Sequence, residues 1–138
     1  MQTSSYLDLF YDDARKTIIE VKKLLTHIEK DQSNISLYQS LFIKLHNLKG
    51  HAKGMGFRAI QSLTHVLEDV FSEMIQGRVM FSTKGVAKKI TNGIYTLEKL
   101  IEAIKTGEKI KYLVNKTHLG EILSQAKALQ SENTVTEN

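Results

Sequence analysis

The run His46-Asn47-Leu48-Lys49-Gly50 holds the residue types and spacing that could support chemistry in this sequence. A neutral imidazole is a nucleophile and a base near pH 7, and it needs neither a metal nor a thiol to act. Lys49 follows His46 at i+3 and Gly50 at i+4, the two spacings that bring side chains together on a helix surface. An ammonium therefore stands beside the imidazole, and the next position up the helix is bare. Glycine inside a helix costs about 1 kcal/mol relative to alanine, so its presence here asks for a use. Side chains on a helix lean towards its N-terminus, so a residue at 50 would lie over the patch around His46. Glycine leaves that patch open to a bulky reactant.

The element that must position these groups is legible from its apolar residues. Tyr38, Leu41, Leu45, Leu48, Ala52 and Met55 recur at steps of 3, 4, 3, 4 and 3, the period of one buried helix face. His46 follows Leu45, which puts it about 100° round from the centre of that stripe, on its shoulder. A second shoulder residue sits in the next helix, where Glu68 lies about 100° from the centre of its own apolar arc. The two are placed to face each other across a groove between helices, whereas His65 comes out further round, towards solvent.

At these residues the sequence resembles a known family. HNLKG matches the H-x-x-K-G run of histidine phosphotransfer (HPt) domains, and the following AKGMGF and LTHVLEDVF are most similar to the phosphoacceptor domain at the N-terminus of CheA-type chemotaxis histidine kinases. The resemblance covers about Tyr6 to Glu108. It implies that His46 Nε2 accepts a phosphoryl group and that Lys49 helps bind the phosphoryl oxygens. It also implies that His65 and Glu68 join a hydrogen-bond network with the phosphoacceptor, a carboxylate holding the Nδ1 proton so that Nε2 is free. His51 and Lys53 depart from the pattern, in which small residues follow the glycine. Lys53, at i+7 from His46, with Lys44 and Arg58, forms a basic rim that would meet the acidic pocket of a response regulator, or else is simply a solvated cationic face.

Taken in order, the chain supports a single all-α domain. Its 138 residues can bury one core, and it has no proline and no cysteine, hence no disulfide, thiolate metal site or cysteine nucleophile. No apolar run is long enough to span a membrane and the N-terminus does not read as a signal peptide, so a cytoplasmic location without membrane insertion is expected. The net charge of +4 is spread among acids, which argues against nucleic-acid binding. Ser5 with Asp8 fits a capping box for a first helix ending near Lys30, with Leu7, Phe10, Ala14, Ile18, Val21, Leu25 and Ile28 inward. Ser36 with Gln39 fits a cap for the second helix, which should end at Gly54 and Gly56. The third runs from about Phe57 to Gln76, with Gly77 stopping it and Arg78 to Phe81 as a connector. Ser82 or Thr83 would cap a fourth helix reaching Lys105, in which Gly93 marks either close helix packing or a tolerated weak point. Asn115 or Thr117 opens a fifth, with Leu119, Ile122, Leu123, Ala126 and Leu129 inward, and SENTVTEN reads as a linker or disordered tail.

These elements predict an antiparallel up-down four-helix bundle over about 5–106, an additional C-terminal helix over about 116–130, one domain over 1–130 and a tail over 131–138. There is no glycine-rich phosphate loop or nucleotide-binding segment, so no bound cofactor and no autonomous catalysis are expected. Mg-ATP would be used by a partnering histidine kinase catalytic domain, and receiver domains of response regulators (CheY- or CheB-like) would be the acceptors. His46 and His51 at i+5 do not point together, so a metal pair is not expected. Three readings stay open: the phosphoacceptor part of a CheA-type autokinase, a free-standing phosphorelay protein, and a structural or metal-binding helical bundle.

Overall fold

In the computed structural model, which describes the backbone of residues 2–137 and the side chains of 5–129, each apolar stripe becomes one face of a helix. The helices are α1 (Gln2–Lys30), α2 (Ile35–Met55), α3 (Arg58–Ile75), α4 (Val86–Thr106) and α5 (Leu113–Glu137). Short connections force consecutive helices antiparallel, and α1 to α4 close a ring in which α1 touches α2 and α4 while α3 touches α2 and α4. The fifth helix lies outside the ring, on α3 and α4. The bundle with one added helix is as expected.

The core is made from the predicted faces. Phe10, Ala14, Ile18, Val21, Leu25 and Ile28 of α1 meet Leu41, Leu45, Leu48 and Ala52 of α2, together with Leu63, Leu67, Val70 and Phe71 of α3 and Ile90, Leu97 and Ile101 of α4. Leu119, Ile122 and Ala126 bring α5 onto this core, but Leu129, expected inward, is exposed. Gly93 is a packing glycine: a methyl there would stand 2.9 Å from Leu119 Cδ1 and 3.3 Å from Leu67 Cδ2. The missing side chain is the notch into which α5 seats.

Helix ends depart from expectation more than helix faces do. Ser5 lies inside α1, which begins at Gln2. The N-cap of α2 is Asn34, without a side-chain capping bond, and Ser36 falls in the first turn. The Asn34 amide is instead spent within the turn, donating to Asp31 Oδ2 at 3.2 Å. At the other end Gly56, with φ 79°, takes the left-handed conformation, and its N–H bonds Lys53 O while that of Phe57 reaches Ala52 O. This is a Schellman ending, which leaves Gly54 as ordinary helix. Before α4, the connector is pinned by buried Val79 and Phe81, and the entry is made by left-handed Gly85 and not by Ser82 or Thr83. The fifth helix starts at Leu113, ahead of Asn115 and Thr117, and the Asn115 side chain does not cap it, its Oδ1 accepting a hydrogen bond from Thr96 Oγ1 of α4 at 2.9 Å. Its backbone remains helical to Glu137, through the segment read as linker or tail, whose side chains lie outside the described residues.

Candidate functional site

The groove between α2 and α3 brings His46 and Glu68 together. Each projects from the shoulder of its own buried stripe, so antiparallel packing of the two stripes sets the shoulders edge to edge. His46 Nδ1 lies 2.7 Å from Glu68 Oε2, and Lys49 Nζ donates to Glu68 Oε1 at 2.8 Å. Thus both carboxylate oxygens are used, one by each residue of the i, i+3 pair.

Exposure divides the labour within this triad. The His46 side chain is 60% exposed, that of Lys49 24%, and that of Glu68 only 8%. Burial pushes the Glu68 carboxyl up, but the hydrogen bonds from Lys49 and His46 and the positive charge of Lys49 outweigh it and hold the group below the ordinary glutamate value. An ionised carboxylate can only accept, so the proton of the shared hydrogen bond belongs to His46 Nδ1. The lone pair is therefore on Nε2, on the solvent side of an exposed ring. A nucleophile held in one tautomer at the open end of a groove can attack a phosphorus or acyl centre brought to it from outside.

The remaining predicted residues are placed less uniformly. Gly50 lies one turn above His46, and a methyl added there would find no neighbour within 4 Å, the ring included. The patch is open, although a methyl alone would not cover the imidazole. His65 does not join the triad: its Nε2 stands 3.6 Å from Asp69 Oδ2 on the outer side of α3. The i, i+4 geometry of one helix gives it a nearer partner than the groove does. Burial raises the Asp69 carboxyl above its ordinary value. The basic rim is not a cluster. Lys44 is bonded to Glu20 of α1, and Lys53 and Arg58 are exposed and make no ion pair among the described residues. Arg58 sits ten residues before Glu68 on α3, roughly 15 Å along the axis from the triad. His51 turns towards α1, its Nδ1 3.5 Å from Asp13 Oδ2.

One neighbour of the imidazole was not singled out from the sequence. The Phe42 ring lies 6.2 Å from the His46 ring, centroid to centroid, with the planes 17° apart. Its signal was available, since an aromatic four residues before a candidate histidine must share its helix face.

Over residues 5–107 the sequence matches the Hpt domain family. The chain belongs to this family. Relatives include the chemotaxis protein CheA of Listeria monocytogenes, 29% identical over 119 residues, which covers 83% of this chain and 18% of that protein. CheA of Bacillus subtilis is 29% identical over 107 residues, covering 78% of this chain and 16% of the relative. The chain thus spans less than a fifth of the curated relatives it matches. Among solved structures, the CheA phosphotransferase domain from Thermotoga maritima superimposes with a TM-score of 0.67 at 27% identity, covering 72% of this chain and 94% of that one. The phosphorylated P1 domain of CheA3, solved in complex with CheY6 from R. sphaeroides, shares the fold at a TM-score of 0.72 and 16% identity, covering 90% of this chain and 97% of that one.

Proposed function

We propose that His46 is a phosphoacceptor that takes a phosphoryl group from the ATP-binding domain of a histidine kinase, in the same polypeptide or another, and hands it to an aspartate of a response regulator receiver domain. The observation that carries this is the 2.7 Å contact between His46 Nδ1 and Glu68 Oε2, which leaves Nε2 as the free nucleophilic nitrogen. Similarity to CheA supports the kinase as donor, and the complex of a P1 domain with CheY6 supports a receiver domain as acceptor.

The chemistry follows from the triad. Nε2 attacks the γ-phosphorus of kinase-bound Mg-ATP, the bond to the β-phosphate oxygen breaks, and ADP leaves with the electron pair. The imidazole, still carrying its Nδ1 proton, becomes cationic, and the buried Glu68 carboxylate is already positioned to pair with that charge. In the second step a receiver carboxylate attacks phosphorus and the N–P bond breaks. Its electron pair returns to Nε2, so that a neutral imidazole departs with Nδ1–H intact. A phosphoimidazole that lost this proton would have to leave as an anion, a much poorer leaving group. Glu68 therefore serves both steps, directing attack in the first and keeping the product transferable in the second. Lys49, freed from Glu68 Oε1 by a short side-chain rotation, reaches the phosphoryl oxygens as a point charge. The open surface at Gly50 admits the partner, and Lys53 is the rim cation on the same face of α2.

Incubation of the chain with Mg-ATP alone should leave it unlabelled. Adding a CheA-type kinase domain should introduce one acid-labile, base-stable phosphoryl group that His46→Gln abolishes while the chain stays folded. Labelling without a kinase, acid-stable label, or label that persists in His46→Gln would each overturn the reading.

A further inference from the structure

We propose that Phe42 is a positioning residue for phosphoryl transfer, its ring fixing the plane of the His46 imidazole so that Nε2 is presented along one line of attack. The inference rests on His46 being the phosphoacceptor. It adds a residue that the triad does not contain.

The need arises from the geometry of a single hydrogen bond. The torsion that turns a histidine ring about Cβ–Cγ has broad wells, so side-chain preference alone does not set the ring plane. Glu68 Oε2 holds the ring at Nδ1 only, and the ring is 60% exposed. An imidazole tethered at one nitrogen can still rock about that tether, which swings Nε2, on the far side of the ring, through an arc. In-line displacement at phosphorus tolerates such swings poorly, because a misplacement of about 1 Å can cost about a hundredfold in rate.

Phe42 supplies the missing constraint. It sits one turn before His46 on the same helix, with ring planes within 17° and centroids 6.2 Å apart, an offset parallel arrangement. Its own ring is partly buried and packed against the core, so it is a fixed wall and not a second mobile group. No other aromatic ring lies against His46 among the described residues. Glu68 thereby defines which nitrogen is free, and Phe42 defines where that nitrogen points. The flat face matters: leucine would fill similar space without offering a parallel surface.

The experiment uses the full chain with Phe42→Leu and Phe42→Tyr, phosphorylated by a CheA-type kinase domain. Rates are measured over a range of chain concentrations, and the His46 ring is followed by 15N NMR. Phe42→Leu should lower kcat about tenfold with KM unchanged and broaden or shift the His46 ring signals, while Phe42→Tyr, which keeps the flat ring, should restore both to within about twofold. Three outcomes overturn the proposal: Phe42→Leu at the wild-type rate, both variants equally slow with unperturbed ring signals, or a raised KM at unchanged kcat, which would make Phe42 a docking residue. Failure of the wild-type chain to be labelled at all would instead refute the phosphoacceptor assignment, which keeps the two ideas separable.

Discussion

Glu68 is a buried carboxylate with two cationic or proton-donating partners, and its environment fixes how the site answers to pH. Its carboxyl lies below the ordinary value of 4.5, so the folded form binds a proton less readily than the unfolded chain does. The stability this contributes is present above pH 4.5 and is lost as pH falls through the lower folded value. Glu68→Gln cannot show that loss. At neutral pH the variant should be about 1.5–3 kcal/mol less stable than wild type, the scale of a hydrogen bond to a charged group. Thermal melts between pH 7 and pH 3 should show the gap closing on acidification, and a gap that stayed constant or widened would mean that Glu68 is not ionised in the folded protein. Phosphorylation should slow in the same variant, because a neutral amide no longer dictates that the proton sits on Nδ1.

The helix faces were legible in the sequence because a face is a repeated signal. Five or six residues at 3.6-residue period must agree, and Leu41, Leu45, Leu48 and Ala52 did. The shoulder placement of His46 and Glu68 follows from the same periodicity, so two-thirds of the triad is set across a groove by the sequence pattern alone. What failed were single-residue judgements. Ser36, Ser82 and Thr83 are competent caps by type, yet Asn34 and Gly85 occupy those positions, because the turn at Asp31 and the buried Val79 and Phe81 decide where the chain enters each helix. His65 failed for a related reason, since a nearby Asp69 competes for it on its own helix. The glycines of α2 make the local rule testable. Gly50 and Gly54 are ordinary helix with open space around them, so alanine at either should raise stability by up to about 1 kcal/mol. Gly56 has φ 79°, and alanine there should lower stability by about 1–2 kcal/mol. Urea melts of the three variants check the signs. With larger side chains at position 50, leucine or glutamate, phosphotransfer should slow in order of size while the fold persists, since what they obstruct is the approach of the partner.

At the scale of the whole molecule, the four-helix ring carries the triad and α5 buttresses its far side. None of its described helices is long and apolar enough to cross a membrane. The hold on α5 is concentrated: Leu119 drops into the notch at Gly93 beside Leu67, and Thr96 bonds Asn115. Gly93→Val would drive a branched side chain into Leu119, already 2.9 Å from where a first carbon would stand. It should displace α5 and cost about 1–3 kcal/mol, while the triad on the opposite side of α3 still accepts phosphate. Loss of phosphorylation in a folded Gly93→Val protein would show that α5 matters to the site itself. The notch also frees the connection that precedes it. A helix located by a socket does not need a loop of fixed length to bring it there, so the segment between Gly107 and Ile110 is a tether and not a ruler, while Ile110 and Tyr112 pack against the core and stay with the helix they precede. Doubling the length of that segment with glycine and serine should cost only about 0.6 kcal/mol of closure entropy and leave α5 in the same register. The chain could therefore vary there without disturbing either the bundle or its histidine.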